Sequence, residues 1–380
     1  MSGSRNVVLR PYETRDLEGT LRLRPRLYPG WPEATDREWH QAVFEWLGRG
    51  PSGEPMHRWV LDHDGEIVGH LAGVPLPYRI GGQRVVAYTP TDYMALPGYG
   101  FHSVGLMRTF FRTCPNYLAC NVVGDASAIE GLFHPARVGR LTHGLKILEL
   151  GSYPRLPARV PRVAATLGGR VVRGIDAILL GAAGSGGMTV TEESTTAFDA
   201  RFDRLFEAVA AAVPCTVERS AAFLRWRYGP GTPREPFRLL TVAERAAERG
   251  PGDLGELAGY AVLRTTTHDE GFVMDLTTLP GRPDVARALL AAGIRRFWAD
   301  RAFVVRYRYL PSAVTPAPRD LRRLGFALRS DGGRALPGIQ PERQLELLVR
   351  LAAPEAQAVA ARADHWTYNL GDGEASFWVH

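Results

Sequence analysis

DYMALPGYGFHSVGLMR, Asp92 to Arg108, is the stretch on which the fold turns. Tyr93, Met94, Ala95 and Leu96 suit a buried strand, and Pro97 ends its capacity to donate to a ladder. Gly98, Gly100, Ser103 and Gly105 then leave small or absent side chains across a loop and a helical turn. Val104, Leu106, Met107, Phe110 and Phe111 have the apolar spacing of a helix packed on a sheet. A strand that feeds a small-residue loop into a helix N-terminus forms an anion-binding device. The first helical N–H groups lack intrahelical acceptors, and the helix dipole adds partial positive charge there. A pyrophosphate is the natural guest. The same residues also suit an ordinary tight strand-to-helix connection.

Upstream, Val7 to Arg10 is a short strand, Glu13 to Arg24 has helical spacing, and Asp36 to Leu47 is an amphipathic helix. His57 to Asp62, Ile67 to Pro75 and Val85 to Leu96 form an antiparallel meander, joined by turns at His63 to Glu66 and Gly81-Gly82. Downstream come a strand at Asn116 to Val123, a helix at Ser127 to Phe133 and a short strand at Ile147 to Leu150. The second half repeats this order: helices at Phe198 to Ala211 and Ser220 to Tyr228, three strands, a helix at Asp284 to Ala299 and a strand at Phe303 to Tyr309. That recurrence points to an internal duplication. The second copy has TLPGRPDVARALL, with one glycine where the first has a cluster.

The chain of 380 residues is long enough for two domains with separate cores. Its net charge of +6 comes almost wholly from arginine, since Lys146 is the one lysine. Those arginines are scattered among acids and form no aromatic-interleaved basic stripe, so nucleic-acid binding is not expected. The three cysteines, Cys114, Cys120 and Cys215, lack metal-ligand spacing and suggest reduced, buried thiols. No metal site is expected. The N-terminal sequence lacks a signal-peptide core and no apolar run is long enough for a bilayer, which implies a cytoplasmic chain without membrane contact.

The order helix, helix, meander, glycine loop, helix, strand resembles the GNAT superfamily of acyl-CoA-dependent N-acyltransferases. LPGYGFHSVG stands where the family carries its pyrophosphate loop: Pro97 and Gly105 match, while Gly100 replaces the usual arginine and Phe101 and Ser103 replace glycines. NVVGDASAIEGLFHPARVGRLT resembles the family's asparagine-led segment against the pantetheine arm, with Asn121 and Ser127 in the matching positions. FLRWRY and WTYNLGDGEASFW resemble the second half of bacterial tandem GNAT-like proteins.

The resemblance implies an α+β protein of two tandem GNAT-like domains, each a mixed, mostly antiparallel twisted sheet flanked by helices. The expected division is an acyl-CoA-binding domain at 1–152, a connecting helix and Gly/Ser linker at 153–190, and a second GNAT-like domain at 191–380. The implied co-substrate is acetyl-CoA or another acyl-CoA. The implied acceptor is an amino group of a small molecule or amino sugar, attacked directly, in a monomer or homodimer. A binding protein that keeps the fold without the chemistry is the alternative. An oxyanion-binding N–H is expected among Met94, Ala95 and Leu96, with Gly98, Gly100, Phe101, His102, Ser103, Val104 and Gly105 around the pyrophosphate. Asp92 is the candidate base, His134 the candidate acid for the departing thiolate, and Tyr93 a further candidate. His70 reads as a strand histidine, and Asp372 and Glu374 as parts of a solvated terminal turn.

Overall fold

Short-range signals start and stop the elements that frame the first half. Asp36 caps its helix by accepting the Trp39 N–H at 2.9 Å. The first hairpin turns at Asp64 and Gly65, both with positive φ, while Asp62 Oδ1 accepts the Gly65 N–H at 2.7 Å. The computed structural model describes residues 6–29, 36–122, 131–149, 188–233, 235–244, 255–329 and 344–374, with Gly174, Asp176, Ile178 to Gly181 and Ser376. The expected connection over 153–190 lies largely outside these.

The first half supplies strands β1 (Val7–Pro11), β2 (His57–His63), β3 (Glu66–Ile80), β4 (Gln83–Ala95), β5 (Tyr117–Val122), β6 (Ala136–Arg140) and β7 (Thr142–Ile147). Its helices are α1 (Leu17–Leu27), α2 (Arg37–Gly48) and α3 (Gly100–Thr113). The second half supplies β8 (Val190–Glu193), β9 (Cys215–Val217), β10 (Arg238–Ala243), β11 (Leu257–Thr265), β12 (Glu270–Thr278), β13 (Val304–Leu310), β14 (Ala327–Arg329), β15 (Leu345–Arg350) and β16 (Tyr368–Asn369). Its helices are α4 (Ala200–Ala212), α5 (Ala221–Tyr228), α6 (Pro283–Ala299), α7 (Pro318–Arg323) and α8 (Pro354–Ala360). Among the described residues no helix is long and apolar enough to cross a membrane.

These strands form two mixed sheets of eight strands each, flanked by helices, so the fold is α+β. The first runs β1-β2-β3-β4-β5-β15-β6, with β9 added to β3. The second runs β14-β7-β13-β12-β11-β10-β8, with β16 added to β13. The two orders match place for place once β7 and β15 are exchanged. β15, from the second half, lies between β5 and β6; β7, from the first half, lies between β13 and β14. A cut between 152 and 191 would therefore remove one interior strand from each sheet. The strand expected at Ile147 to Leu150 starts earlier, at Thr142, where it pairs with Tyr309.

Two cores result. On one face of the first sheet, Leu71, Met94 and Leu96 pack with Leu106 and Phe110 of α3. On the other face, Val43, Phe44 and Trp46 of α2 join a cluster with Phe223, Leu224 and Trp366 from the second half. That shared cluster makes the halves one packed body.

Candidate active site

The site begins where two parallel strands part. β4 and β5 pair only at Tyr88 and Tyr117 among the described residues. Thr89 Oγ1 reaches Leu118 O at 2.7 Å, and beyond it no ladder joins the strands. The β5-facing edge of β4 is therefore open toward its C-terminal end. Leu96 N–H is taken by Val68 O at 2.9 Å, which excludes it as an oxyanion donor. Strand alternation then turns the Ala95 N–H away from β3, toward the open side. Met94 is buried in the core beneath α3.

At the end of this opening stands the N-terminus of α3. Gly98 takes φ +93°, which lets the chain leave the strand sharply, and a Cβ on Gly98 or Gly100 would meet open space. Ser103 N–H bonds Tyr99 O at 3.0 Å, the first helical bond. The N–H groups of Gly100, Phe101 and His102 thus precede the helical ladder and are the ones able to receive an anion. Phe101 and His102 turn their side chains outward, Phe101 being 88% exposed. The expected contributions of Val104 and Gly105 are corrected. Both lie in the ladder, and a Cβ on Gly105 would meet only Leu9 Cδ1, at an ordinary contact distance of 3.4 Å.

Asp92 is not placed as a free base. It leads a bulge in β4, where the register with β3 shifts between His70 and Ala72, and it takes φ +56°. Its carboxylate is bound by Arg24 Nη2 at 2.5 Å and lies 3.1 Å from His70 Nδ1 and 3.7 Å from His40 Nε2. Burial pushes its pKa up, but the Arg24 charge, aided by the two nearby histidines, outweighs this and holds it well below the carboxylate range. A carboxylate so engaged is a poor acceptor for an amine's proton.

His134 is also displaced from its expected place. It is exposed, with φ +52°, just before β6. Its neighbour Phe133 stacks on Phe111 near the far end of α3, ring centroids 4.5 Å apart. Register through β15 sets Ala136 level with Leu118, which leaves His134 about five strand residues, roughly 16 Å, from the level of Asn121. It lies at the closed end of the β4–β5 pair. Tyr93, half-buried, places its hydroxyl by Ser103 in the first turn of α3; burial raises its pKa, opposed by Ser103. Asn121 lies on β5 opposite Glu346. Ser127 lies outside the described residues.

Sequence reasoning missed the partners of Asp92 because Arg24, His40 and His70 come from three elements with no shared motif. It also misread the terminal turn. Asp372 is 1% exposed, and its neighbour Asp275 joins burial in raising its pKa to about 7 against the Arg219 charge. Gly371 is required there because a Cβ would collide with Tyr228 Oη. Arg227 binds the carbonyls of Gly371 at 2.8 Å and Gly373 at 2.9 Å. Glu374, two residues after Asp372, is half-buried.

The two sheets differ at the matching opening. In the second, β12 and β13 pair over four positions and then part. The terminal segment fills that gap: Tyr368 and Asn369 pair with β13, and Asn369 Nδ2 donates to Asp275 Oδ1 of β12 at 3.0 Å. No described strand pairs within the β4–β5 opening, although Gly373 of the terminal turn lies against Cys120 of β5.

No protein-family model matches the chain. No curated protein sequence matches it. Solved structures do. A GCN5-related N-acetyltransferase from Kribbella flavida is 16% identical with a TM-score of 0.58, over 95% of this chain and 75% of that one. A tandem GNAT protein from the clavulanic acid biosynthesis pathway is 14% identical with a TM-score of 0.52, over 92% and 99%. Saccharomyces cerevisiae N-myristoyltransferase, solved with bound myristoyl-CoA, is 11% identical with a TM-score of 0.53, over 92% and 85%. With duplicated sheets, a parted strand pair beside a helix N-terminus and these likenesses, the chain has a tandem GNAT-like fold.

Proposed function

We propose that the protein is an acyl-CoA-dependent N-acyltransferase whose first half binds the thioester. The acceptor is an amino group of a small molecule or amino sugar, which attacks the thioester directly. The observation that carries this reading is the asymmetry of strand pairing at the two openings: Tyr368 and Asn369 pair along β13 in the second, whereas no described strand pairs along β4 or β5 within the first. The likeness to N-acetyltransferases and to a myristoyl-CoA-bound enzyme supports acyl-CoA as the class of donor. In this reading the N–H groups of Gly100, Phe101 and His102 hold the pyrophosphate, and the Ala95 N–H stabilises the oxyanion. Asp92 shapes the strand instead of taking a proton. Tyr93 is the candidate donor to the departing thiolate, since its hydroxyl lies at the same helix N-terminus.

A non-catalytic CoA-binding protein is the second reading, and the engagement of Asp92 by Arg24 favours it. Calorimetry with acetyl-CoA and longer acyl-CoAs, followed by thiol release with primary amines, separates the two. The decisive variant is His102→Glu. A carboxylate in the first helical turn favours the helix by about 0.3–1 kcal/mol yet repels a pyrophosphate. The expected result is an unchanged or higher melting temperature with acyl-CoA affinity reduced at least tenfold. Undiminished affinity would remove the α3 N-terminus from the binding site.

A further inference from the structure

Asp92 is held in an unfavourable backbone conformation, and the structure shows what holds it. A residue with a side chain at φ +56° is strained, and such strain persists only where its surroundings impose it. Here the restraint comes from two directions. Arg24 Nη2, at the end of α1, takes Asp92 Oδ1 at 2.5 Å, and both side chains are nearly inaccessible. His70, on β3, places Nδ1 3.1 Å from the Asp92 carbonyl oxygen and 3.1 Å from Oδ2.

The protonation of His70 follows from its other contact. Arg58 Nε lies 3.2 Å from His70 Nε2. A guanidinium can only donate, so Nε2 is the acceptor and the ring proton sits on Nδ1. From there it donates to Asp92. Arg58 is itself fixed, its guanidinium carbon 3.5 Å from the Tyr12 ring centroid and 3.8 Å from that of Phe44. A directed chain of hydrogen bonds therefore runs from Arg58 through His70 to the main chain of Asp92.

Asp92 leads the bulge, and three residues later Ala95 presents its N–H to the open edge of β4. The bulge decides which way that edge faces, because one extra residue in a strand reverses the direction of every following N–H. We infer that Arg58, His70 and Arg24 are positioning residues that hold the bulge at Asp92 and so aim the Ala95 N–H at the thioester carbonyl. This rests on the acyl-CoA reading above and extends it to residues that touch neither donor nor acceptor.

The test compares two ligands that differ at the carbonyl alone: acetyl-CoA and S-ethyl-CoA, whose thioether has no oxygen. Calorimetry of the full chain should find acetyl-CoA bound about two- to tenfold tighter, the value of one hydrogen bond. In His70→Gln that preference should fall to about onefold, with S-ethyl-CoA affinity unchanged within twofold. A role in folding alone would lower both affinities together or neither. Should His70→Gln fail to fold, Arg58→Gln acts on the tautomer of His70 without disturbing the Arg24–Asp92 pair, and the same loss is expected. Folded variants that keep the wild-type preference would overturn the inference. So would a wild-type protein that binds both ligands equally, which would leave CoA binding intact. A wild-type protein that binds neither would overturn the acyl-CoA reading, and the inference with it.

Discussion

A buried histidine shows how far a single residue's behaviour depends on neighbours remote in sequence. His143, on β7, stands opposite Arg308 of β13 and Arg329 of β14. Burial, then the charges of Arg308, Arg329 and Arg306, push its pKa down to about 3. Its unfolded value is about 6.5, so between these values the unfolded chain binds the extra proton. Stability is therefore lost as pH falls from about 6.5 toward 3, by ~2 kcal/mol at pH 5 for this residue alone. Burial likewise lowers the pKa of His40 and His70, adding to the loss in the same direction. Denaturant midpoints at pH 7 and pH 5 should differ, and His143→Gln should reduce the difference. An equal slope in that variant would assign the acid sensitivity elsewhere.

Exchange of β7 and β15 governs behaviour at the level of elements. β15 is paired on both sides, with β5 and with β6, and Leu345, Leu347, Leu348 and Val349 are all buried. Without it, the first sheet would expose two unpaired edges and an apolar gap. Fragments 1–152 and 191–380 should therefore fail to unfold cooperatively when each is expressed alone. Co-expression should recover part of the native fold, because each fragment carries the strand the other lacks. A sharp, two-state urea transition from either isolated fragment would contradict this. The apolar run of β15, LELLVR, specifies a strand without specifying its sheet, whereas β7, THGLKI, has no such run and is expected only from Ile147 onward.

The whole molecule is held together across the halves by paired tryptophans. Trp46 Nε1 donates to Trp226 O at 2.7 Å, and Trp226 Nε1 donates to Trp46 O at 2.9 Å. The rings stack with centroids 5.0 Å apart. Trp226→Phe keeps most of the stacking and deletes one donor, so a loss of about 1–2 kcal/mol is expected in urea denaturation. Combining it with Trp46→Phe should cost less than the sum, because both changes act on one contact. Strict additivity would show that the two tryptophans stabilise the fold independently.

Local rules in the sequence determined the helices, the meander, the glycine loop at Gly98 and the duplication. Each is set by residues within a few positions of one another, through side-chain period, turn chemistry or capping. The GNAT-like fold was legible for that reason. What only the tertiary structure decided were the long-range meetings. Asp92, open in the sequence to reading as a base, is engaged by Arg24 from 68 positions away. His134 falls near the place of the family's acid, with one extra residue in the spacing, yet β15 enters between β5 and β6 and leaves it at the closed end of the strand pair. The turn at Asp372 reads as polar and exposed, but Arg219 and Arg227 draw it into the interior. In each case the local sequence fixes a conformation at low cost, while the partner that sets charge or burial arrives by packing, and packing leaves no periodic mark in the chain.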